Sequence, residues 1–302
     1  MLQLTMAKRH CPVCDNADES RVFAEANVDL QKFDAFAFAS RKTPEYMHWR
    51  LVSCTRCDLL YANPIPRPED LAAAYHEAAF DSREEARLAS RTYGRFLPRI
   101  IERLKDRDSA VDIGTGDGAF LQALLDAGFT DVVGIEPSAA PIAVAPPHLR
   151  PLIRQDIFRP ESFPPASVSL ITCFQTMEHL TDPLAMCKDA HRALKPGGAL
   201  FLIGHNRRAL SARILGRKSP IFDIEHMQLF SPSSVRAMLQ NARFREVMVT
   251  PVFNRYPLHY WARLFPFPKV VKNAVVRFCK AILGSRLLLP LPAGNLAAIA
   301  YK

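Results

Sequence analysis

Four of the seven cysteines form two Cys-x-x-Cys pairs, Cys11 with Cys14 and Cys54 with Cys57. Two such turns can close a tetrahedral cage of four thiolates, which suits Zn²⁺ and leaves no open coordination position. In a chain of 302 residues this pattern favours a metal site in a reducing compartment over a disulfide scaffold. Ordinary thiols or a redox pair are the alternatives. We expect a structural zinc site, with the 39 residues between the pairs carrying an insertion.

A glycine-rich turn lies between a predicted strand and a predicted helix, in the segment Val111-Asp-Ile-Gly-Thr-Gly-Asp-Gly118. Glycines permit positive φ angles and let a ligand approach the backbone, and the helix start offers free N–H groups. Glu136 ends the next predicted strand, 18 residues beyond Gly118, where a carboxylate can accept hydrogen bonds from ribose hydroxyls. The glycines alone also fit a dinucleotide-binding fold or a tight connection without a ligand.

The elements that must position these residues alternate between strand and helix from residue 109 onwards. Short apolar strands are predicted at 109–113, 132–135, 152–153, 168–174, 199–203, 247–250 and 296–301, with helices between several of them. This order predicts an α/β fold with a mostly parallel sheet covered by helices on both faces. Three prolines around residue 66 mark a boundary, so we divide the chain into a cysteine module (1–68), a helical linker (69–108) and a main domain (109–302).

Six segments in this region resemble the class I S-adenosylmethionine-dependent methyltransferases and occur in that family's order. They are VDIGTGDG (111–118), GIEPS (134–138), RQDI (154–157), TMEHLTDP (176–183), LKPGGALFL (194–202) and HMQLFSP (226–232). The resemblance covers about residues 109–250 and implies a Rossmann-like sheet of seven strands whose last strand is antiparallel. It also implies S-adenosyl-L-methionine as the cofactor.

The resemblance further implies a role for each residue around the cofactor. Asp112 and the glycine turn would pack under its methionine end, Glu136 would hold the ribose, and other residues would flank the adenine and the sulfonium. The expected cofactor residues are Asp112, Gly114, Thr115, Gly116, Gly118, Glu136 and Pro137, together with Asp156 and Ile157 beside the adenine and Phe174 and Gln175 on the sulfonium side.

Two features of the sequence depart from the family pattern. Ser169 stands where the fourth strand usually begins with an acidic residue, and three prolines, Pro141, Pro146 and Pro147, shorten the helix expected after the second strand.

The cysteine segment, CPVC followed by CTRCDLLYANPIP, is similar to the zinc-binding module of bacterial methyltransferases associated with sugar, polysaccharide and natural-product pathways. The remaining cysteines, Cys173, Cys187 and Cys279, fit small buried side chains.

Methyl transfer to a hydroxyl benefits from a general base with a pKa near 7, so histidines are the first candidates. Glu178-His179 follows the fourth strand and resembles the Glu-His pair of related O-methyltransferases, while Glu225-His226 precedes the helix that Ser231 caps. We take His179 and His226 as candidate catalytic residues; a helix-capping or loop-holding role is the alternative. His205, after the fifth strand, is a weaker candidate.

The net charge of +9 arises almost entirely near the C-terminus. Residues 251–302 hold eight Lys or Arg and no acidic residue, which leaves 31 basic against 30 acidic residues in the rest. Within 254–292, aromatic side chains alternate with cations, and 272–283 has the pattern of a helix. This basic, apolar insertion fits a lid over the acceptor, a peripheral contact with an anionic membrane, or plain packing on the core. A nucleic-acid face is a weaker possibility, because the remaining surface is near neutral.

We therefore expect a cytoplasmic, zinc-containing methyltransferase that acts on a small-molecule acceptor, such as a sugar, a glycan or lipid-linked precursor, or a secondary metabolite. A tRNA or other RNA methyltransferase and a non-catalytic cofactor-binding scaffold are the alternatives. Neither a secretory signal nor a membrane span is visible, since the longest uncharged apolar stretch (287–301) contains Pro290 and Pro292.

Overall fold

A computed structural model describes residues 5–17, 21–29, 46–67, 83–264, 269–283 and 288–302. Part of the expected insertion between the cysteine pairs and part of the expected linker fall outside these ranges. Outside the described residues lie aromatic residues of the insertion (Phe33, Phe36 and Phe38), apolar residues of the linker (Leu71 and Tyr75) and residues of the C-terminal insertion (Phe265, Phe267 and Arg286).

The central sheet has seven strands in the order β12-β13-β10-β9-β6-β7-β8. Six strands are parallel to one another, and β13 runs antiparallel between β10 and β12. The seven-stranded α/β sheet with an antiparallel last strand is thereby confirmed. The strands are β6 (Ser109–Ile113), β7 (Asp131–Ile135), β8 (Ile153–Arg154), β9 (Val168–Phe174), β10 (Leu194–His205), β12 (Glu246–Pro257) and β13 (Leu288–Tyr301).

Helices connect these strands and begin where the local sequence permits. Asp182 caps α5 by accepting a hydrogen bond from the Ala185 amide (2.8 Å), and Ser231 caps α7 through the Ser234 amide (3.2 Å). Proline follows both caps at the first helical position. The helices are α1 (Arg83–Tyr93), α2 (Leu97–Ile101), α3 (Leu121–Asp126), α4 (Ala139–Val144), α5 (Pro183–Ala193), α6 (Leu210–Leu215), α7 (Pro232–Asn241), α8 (Leu258–Leu264) and α9 (Lys269–Leu283).

The core lies on both faces of the sheet because successive residues of each central strand point to opposite sides. In β9, Leu170 packs in one hydrophobic cluster and Ile171 in the other, and both are fully buried. Burial of each such side chain contributes about 1.5–3 kcal/mol. The central strands are therefore held from both sides, and their carboxyl ends form a fixed edge on which the functional loops sit.

A second sheet joins the cysteine segment to the main domain. Its order is β11-β4-β3-β2, with β2 (Arg21–Ala24), β3 (Leu51–Ser53) and β4 (Leu60–Ala62) from the N-terminal segment and β11 (Gln228–Leu229) from the segment before α7. A short antiparallel pair is formed by β1 (Met6–Ala7) and β5 (Ile65–Pro66). The division at residue 68 stays a prediction, and the structure adds that the two segments share this sheet.

The Arg9 side chain also connects these two parts of the chain. Its guanidinium donates hydrogen bonds to the backbone oxygens of Ala62 (3.0 Å), Thr181 (3.1 Å) and Met227 (2.7 Å) and to Oε1 of Gln228 (3.1 Å). Burial lowers the pKa of Arg9 to about 10, so the group stays charged at neutral pH. Arg9 therefore satisfies four hydrogen-bond acceptors, which belong to the cysteine segment and to the main domain.

The last two strands are longer than the sequence indicates. We expected them at 247–250 and 296–301, whereas β12 continues to Pro257 and β13 begins at Leu288. Register Arg255↔Pro290 places this proline beyond the part of β13 that pairs with β10, where a missing N–H breaks no second ladder. Among the described residues of the expected 254–292 insertion, the helices are α8 and α9.

The departures from the family pattern have local structural solutions. Asp106, from the loop before β6, accepts a hydrogen bond from the Ser169 hydroxyl and one from Nζ of Lys195 (2.9 Å), so a carboxylate reaches the start of β9 from another segment. Helix α4 is six residues long, in keeping with the prolines around it. Among the residues the structure describes, no helix is both long and apolar enough to cross a bilayer.

Candidate active site

The glycine turn between β6 and α3 is shaped by its neighbours. Gly114 has a φ of +72°, and a Cβ atom there would collide with the Thr176 side chain after β9. Its amide donates to the Ile135 carbonyl (2.8 Å), which ties the turn to the end of β7. The Gly116 amide instead donates to a carboxylate oxygen of Glu136 (2.9 Å). The turn and the acidic residue at the tip of the next strand are therefore in direct contact.

Glu136 accepts backbone hydrogen bonds from both sides. Oε2 receives the Gly116 amide and Oε1 receives the Ser138 amide, each at 2.9 Å. Burial raises the pKa of Glu136, and these two hydrogen bonds act in the opposite direction. A carboxylate has more than two acceptor sites, so both oxygens can still accept hydroxyl hydrogens. The Ser138 hydroxyl is buried beside it without a hydrogen-bond partner among the described residues. A ligand with vicinal hydroxyls fits this donor and acceptor set.

Asp112 lies beneath the turn at the end of β6. It accepts a hydrogen bond from the Thr172 hydroxyl (2.6 Å) and is almost wholly shielded from water. Burial raises the pKa of Asp112 to about 6, although the Thr172 hydrogen bond favours the charged form. Two buried carboxyl groups, Asp112 and Glu136, therefore lie close together at the glycine turn, which suits a ligand with positive charge.

The expected adenine residues follow the strand next to Glu136. The Glu136 amide donates to the Arg154 carbonyl in β8 (3.1 Å), and Asp156 and Ile157 come directly after that strand. The Ile157 side chain is 47% exposed. Asp156 accepts a hydrogen bond from the Ile157 amide (2.7 Å). An exposed apolar side chain beside a carboxylate fits the edge and the face of a purine base.

Phe174 and Gln175 end β9, at the centre of the carboxyl edge. Phe174 packs against Phe120 (ring centroids 4.6 Å apart) and Tyr93 (5.0 Å). Gln175 has a φ of +53°, a strained conformation for a residue other than glycine, and its amide donates to the Ile203 carbonyl (2.7 Å). This combination of rigid aromatic packing and local strain is characteristic of functional sites. The Tyr93 side chain, at the end of α1, contacts Phe174, and the sequence predicted no role for it.

Three histidines, two from loops and one from the end of β10, meet at the same edge. The ring centroids of His179 and His226 are 5.1 Å apart, and those of His205 and His226 are 4.9 Å apart. Nδ1 of His179 lies 3.2 Å from the Glu225 carbonyl oxygen, and Nδ1 of His226 lies 2.8 Å from the Ile221 carbonyl oxygen. Burial lowers the pKa of His179 below its ordinary value, so its ring is neutral at pH 7. We call this group the histidine cluster.

Glu178 differs in position from the arrangement that we expected of a Glu-His pair. Its side chain is fully buried and accepts a hydrogen bond from the His205 amide, so it points into the protein. Burial raises the pKa of Glu178. The carboxylate next to His179 is instead Glu225, whose Oε2 is 3.8 Å from Nδ1 of His179. Nothing in the sequence indicated that Glu225, 46 positions away, would be this neighbour.

The four paired cysteines come together in one cluster. Sγ of Cys11 is 3.5 Å from Sγ of Cys57, Sγ of Cys14 is 3.6 Å from Sγ of Cys54, and the four sulfurs lie within 4.8 Å of one another. A tetrahedral zinc site with Zn–S bonds of about 2.3 Å has sulfurs about 3.8 Å apart. Hydrogen bonds from the Cys57 thiol and from the backbone lower the pKa of Cys11 to about 5. The donor set therefore fits a Zn²⁺ ion, with all four positions filled by thiolates.

The other cysteines are buried as expected. Cys173 and Cys187 are inaccessible to water, and burial raises the pKa of both thiols. The insertion between the two cysteine pairs carries a tryptophan at position 49. There, Trp49 packs on the main domain and donates a hydrogen bond from Nε1 to the Ile224 carbonyl (2.9 Å).

The fold is that of a class I S-adenosylmethionine-dependent methyltransferase. Residues 82–248 match a family model described as a methyltransferase domain, which is more than half of the chain. The chain belongs to this methyltransferase family.

Curated relatives agree with this assignment. The chain is 31% identical over 117 residues to the ubiquinone biosynthesis O-methyltransferase of Pseudomonas aeruginosa strain UCBPP-PA14, covering 35% of this chain and 49% of that protein. It is 29% identical over 167 residues to the enzyme of the same name from Paracidovorax citrulli, covering 49% and 70%. The chain thus spans about half the length of the first of these relatives.

Among solved structures, this chain is similar to a protein chain in the complex between the Haloferax volcanii Trm112 methyltransferase activator and a methyltransferase. The TM-score is 0.50 with 16% identity, and the match covers 76% of this chain and 96% of that one. At this level of identity the likeness concerns the fold.

Proposed function

We propose that the protein transfers a methyl group from S-adenosyl-L-methionine to a hydroxyl group of a small molecule bound at the histidine cluster. The observation that carries this proposal is the position of three imidazoles at the carboxyl edge of the sheet, beside the loop that follows Phe174 and Gln175. The activity for which these relatives are named, O-methylation in ubiquinone biosynthesis, supports oxygen as the acceptor atom.

In this proposal the cofactor residues are those expected from the sequence. Asp112 and the turn of Gly114, Thr115, Gly116 and Gly118 face the methionine end; Glu136 and Pro137 hold the ribose; Asp156 and Ile157 bind the adenine; and Phe174 and Gln175 border the sulfonium. The bound cofactor supplies an electrophilic methyl group on a positively charged sulfur. The protein aligns the acceptor oxygen with that carbon, excludes water, and takes up the proton that the hydroxyl loses.

His179 and His226 are the proposed proton acceptors. A neutral imidazole whose Nδ1–H donates to a carbonyl keeps its lone pair on Nε2, and both rings have a carbonyl oxygen at Nδ1. His205 has the Oδ1 atom of Asn295 at Nδ1 (3.1 Å) and lies next to His226. All three rings can therefore accept a proton at Nε2.

A hydrophobic or lipid-linked acceptor is the class that we favour within the wider group of sugars, glycan precursors and secondary metabolites. Helix α9 exposes an apolar stripe, since Val271, Ala274, Phe278 and Ala281 recur at helical spacing and Phe278 is 65% exposed. Exposed Arg277 and Lys280 flank the stripe. Apolar residues between cations fit the surface of an anionic membrane, so we propose peripheral membrane contact from the cytoplasmic side.

The test is methyl transfer by the purified full chain, with labelled cofactor and a panel of hydroxylated acceptors that includes polyprenyl phenols and nucleotide sugars. His179→Ala should slow transfer by about a hundredfold and leave cofactor affinity by calorimetry unchanged, with exposed His148→Ala as the control. An unchanged rate in His179→Ala would remove it as the base. Cofactor binding without transfer to any acceptor would support a scaffold, and salt-sensitive RNA binding would support an RNA methyltransferase.

A further inference from the structure

The histidine cluster contains a ligand set for a metal ion, separate from the four cysteines. His179, Glu225 and His226 each offer one ligand atom, and these atoms lie within 4.8 Å of one another. The Glu225 and His226 side chains are buried and His179 is largely so. We propose that these three residues bind one divalent transition-metal ion, such as Zn²⁺ or Fe²⁺, next to the acceptor.

The chemistry of the three side chains selects the kind of ion. Two imidazoles and one carboxylate are the ligands of catalytic zinc sites and of non-haem iron sites, in which other positions stay open to water or substrate. Hard ions such as Mg²⁺ and Ca²⁺ prefer oxygen ligands, so the two nitrogens disfavour them. The thiolates at the cysteine cluster differ in ligand type, and the two sites can therefore be distinguished spectroscopically.

The surroundings of the rings match those of metal-binding histidines. Such a histidine usually donates its second ring N–H to a carbonyl or carboxylate, which fixes its orientation. Nδ1 of His226 is 2.8 Å from the Ile221 carbonyl oxygen, so its Nε2 carries the lone pair. Nδ1 of His179 is 3.2 Å from the Glu225 carbonyl oxygen, which likewise leaves its lone pair on Nε2. Ligands about 2.1 Å from one ion are about 3.4 Å apart, so the side chains need to move inward by about 1 Å or less.

The backbone holds the three ligands in place. The Met227 amide donates to the Glu178 carbonyl (2.8 Å), which joins the loop of His226 to the loop of His179. The His226 amide donates to the Asp223 carbonyl (3.1 Å), so the Glu225–His226 segment lies in a turn. The backbone segments that carry these residues, which are separated by 46 positions, are therefore joined before any ion binds.

An ion here would lower the pKa of a hydroxyl that coordinates it, which would help the acceptor to lose its proton. This consequence rests on the proposed function, whereas binding of the ion does not. The nitrogens that coordinate the ion accept no proton while it is bound, so the proton-accepting role proposed for His179 and His226 applies to the protein without the ion.

The experiment is a Co²⁺ titration of the full chain after its cysteine cluster has been loaded with zinc. We expect a second equivalent of metal per chain, with visible d–d absorption and without the near-ultraviolet charge-transfer bands of thiolate-bound cobalt. Glu225→Gln, which preserves side-chain size, and His226→Ala should each weaken this binding by about tenfold or more. His148→Ala, which changes an exposed histidine, should bind Co²⁺ as the wild type does.

Three results would overturn the proposal: no second equivalent in the wild type, thiolate bands alone, or a second equivalent that survives in both cluster variants. Zinc content and cofactor affinity, measured on the same samples, verify that each variant is folded. Methyl transfer is measured separately. A chain that binds cobalt but transfers no methyl group would refute the proposed function and leave the metal site intact, and the reverse result would do the opposite.

Discussion

At the scale of single residues, Glu136 connects the conformation of the glycine turn to the chemistry of the pocket. Its two oxygens hold the Gly116 and Ser138 amides, and the proposed ribose hydroxyls would bind to the same carboxylate. A change at this side chain therefore alters the turn and the ligand contacts together.

We predict that Glu136→Gln lowers the affinity for S-adenosyl-L-methionine by at least about tenfold, or about 1.4 kcal/mol. The amide has one accepting oxygen where the carboxylate has two, so its NH₂ group would face one of the backbone N–H donors. Calorimetry measures the effect. Asp131→Asn, at the exposed start of the same strand, should bind like the wild type. Equal affinities in wild type and Glu136→Gln would refute the ribose role.

Asp112 provides a prediction about pH. Its pKa is about 6 in the folded protein and about 3.9 in an unfolded chain, so the folded state binds this proton more tightly. The resulting stabilisation is complete below pH 4 and is lost as the pH rises to 6, by at most about 3 kcal/mol. In Asp112→Asn, the free energy of unfolding in urea should fall less between pH 4 and pH 7 than in the wild type. Parallel pH curves would contradict this assignment, and Asp131→Asn is the control.

The proximity of Glu136 to the glycine turn could be predicted from the sequence, whereas the contacts of other acidic residues could not. Glu136 could be located because its distance from the glycine turn follows from one helix and one strand. Asp106 and Glu225 could not, because each reaches its partner through loops whose path depends on packing across the sheet. The pairing of Glu178 with the His205 amide was missed for the same reason.

At the scale of elements, the two Cys-x-x-Cys turns act as one unit because their sulfurs converge. Asp58, directly after Cys57, adds a further link: its backbone oxygen accepts a hydrogen bond from Arg207 (3.0 Å), and its carboxylate pairs with Arg208. Burial alone would raise the pKa of Asp58, but the two arginines hold it below its usual range. The turn is thereby anchored to the segment that follows β10.

We predict one zinc per chain by elemental analysis of the purified protein. Cys14→Ser should reduce this value well below one and lower the midpoint of thermal unfolding by at least about 5 °C, because an incomplete cage holds the turns less tightly. Cys187→Ala changes a buried cysteine outside the cluster and should retain the zinc. A folded wild-type sample without zinc would refute the metal site.

Helix α9 provides the test of the membrane proposal. Phe278→Glu places a negative charge in the apolar stripe, so it should abolish sedimentation with vesicles of phosphatidylcholine and phosphatidylglycerol. Val22→Glu introduces the same charge at an exposed apolar position in β2 and should sediment like the wild type. Sedimentation of Phe278→Glu equal to that of the wild type would exclude this face as the contact.

Sequence patterns predicted the elements of the main domain and underestimated the last hairpin. Alternating apolar residues identified the parts of β12 and β13 that pair within the central sheet. The outer part contains prolines and polar residues that resemble a loop, and only its pairing partner across the hairpin makes it a strand. Pairing of this kind is not encoded in a local pattern.

At the scale of the whole molecule, the cysteine segment and the main domain form one folded body at their joint. Strand β11 completes the N-terminal sheet, Trp49 packs against Ile224, and Arg9 reaches Thr181 and Met227. Composition and spacing predicted a cysteine module and a main domain as separate parts. They did not predict that the two parts share a sheet, because a two-residue strand such as β11 has no sequence signature.

We predict that Arg9→Ala lowers the free energy of unfolding by about 3 kcal/mol, because several buried acceptors lose a charged donor. Urea denaturation followed by fluorescence measures this change. Arg56→Ala, at an exposed position in the second cysteine turn, should differ little from the wild type. A loss below about 1 kcal/mol for Arg9→Ala would show that the joint does not depend on this side chain.

The pairing of β4 with β11 has a consequence for how the protein responds to its surroundings. Leu60 follows Cys57 by three positions, Gln228 follows His226 by two, and the two strands are hydrogen-bonded through Leu60↔Leu229 and Tyr61↔Gln228. Peroxide or a mercury compound that attacks the sulfurs therefore strains the ladder that holds the acceptor side of the pocket. We expect these reagents to slow turnover while cofactor affinity is preserved. Oxidative stress would then affect the reaction through the paired strands β4 and β11.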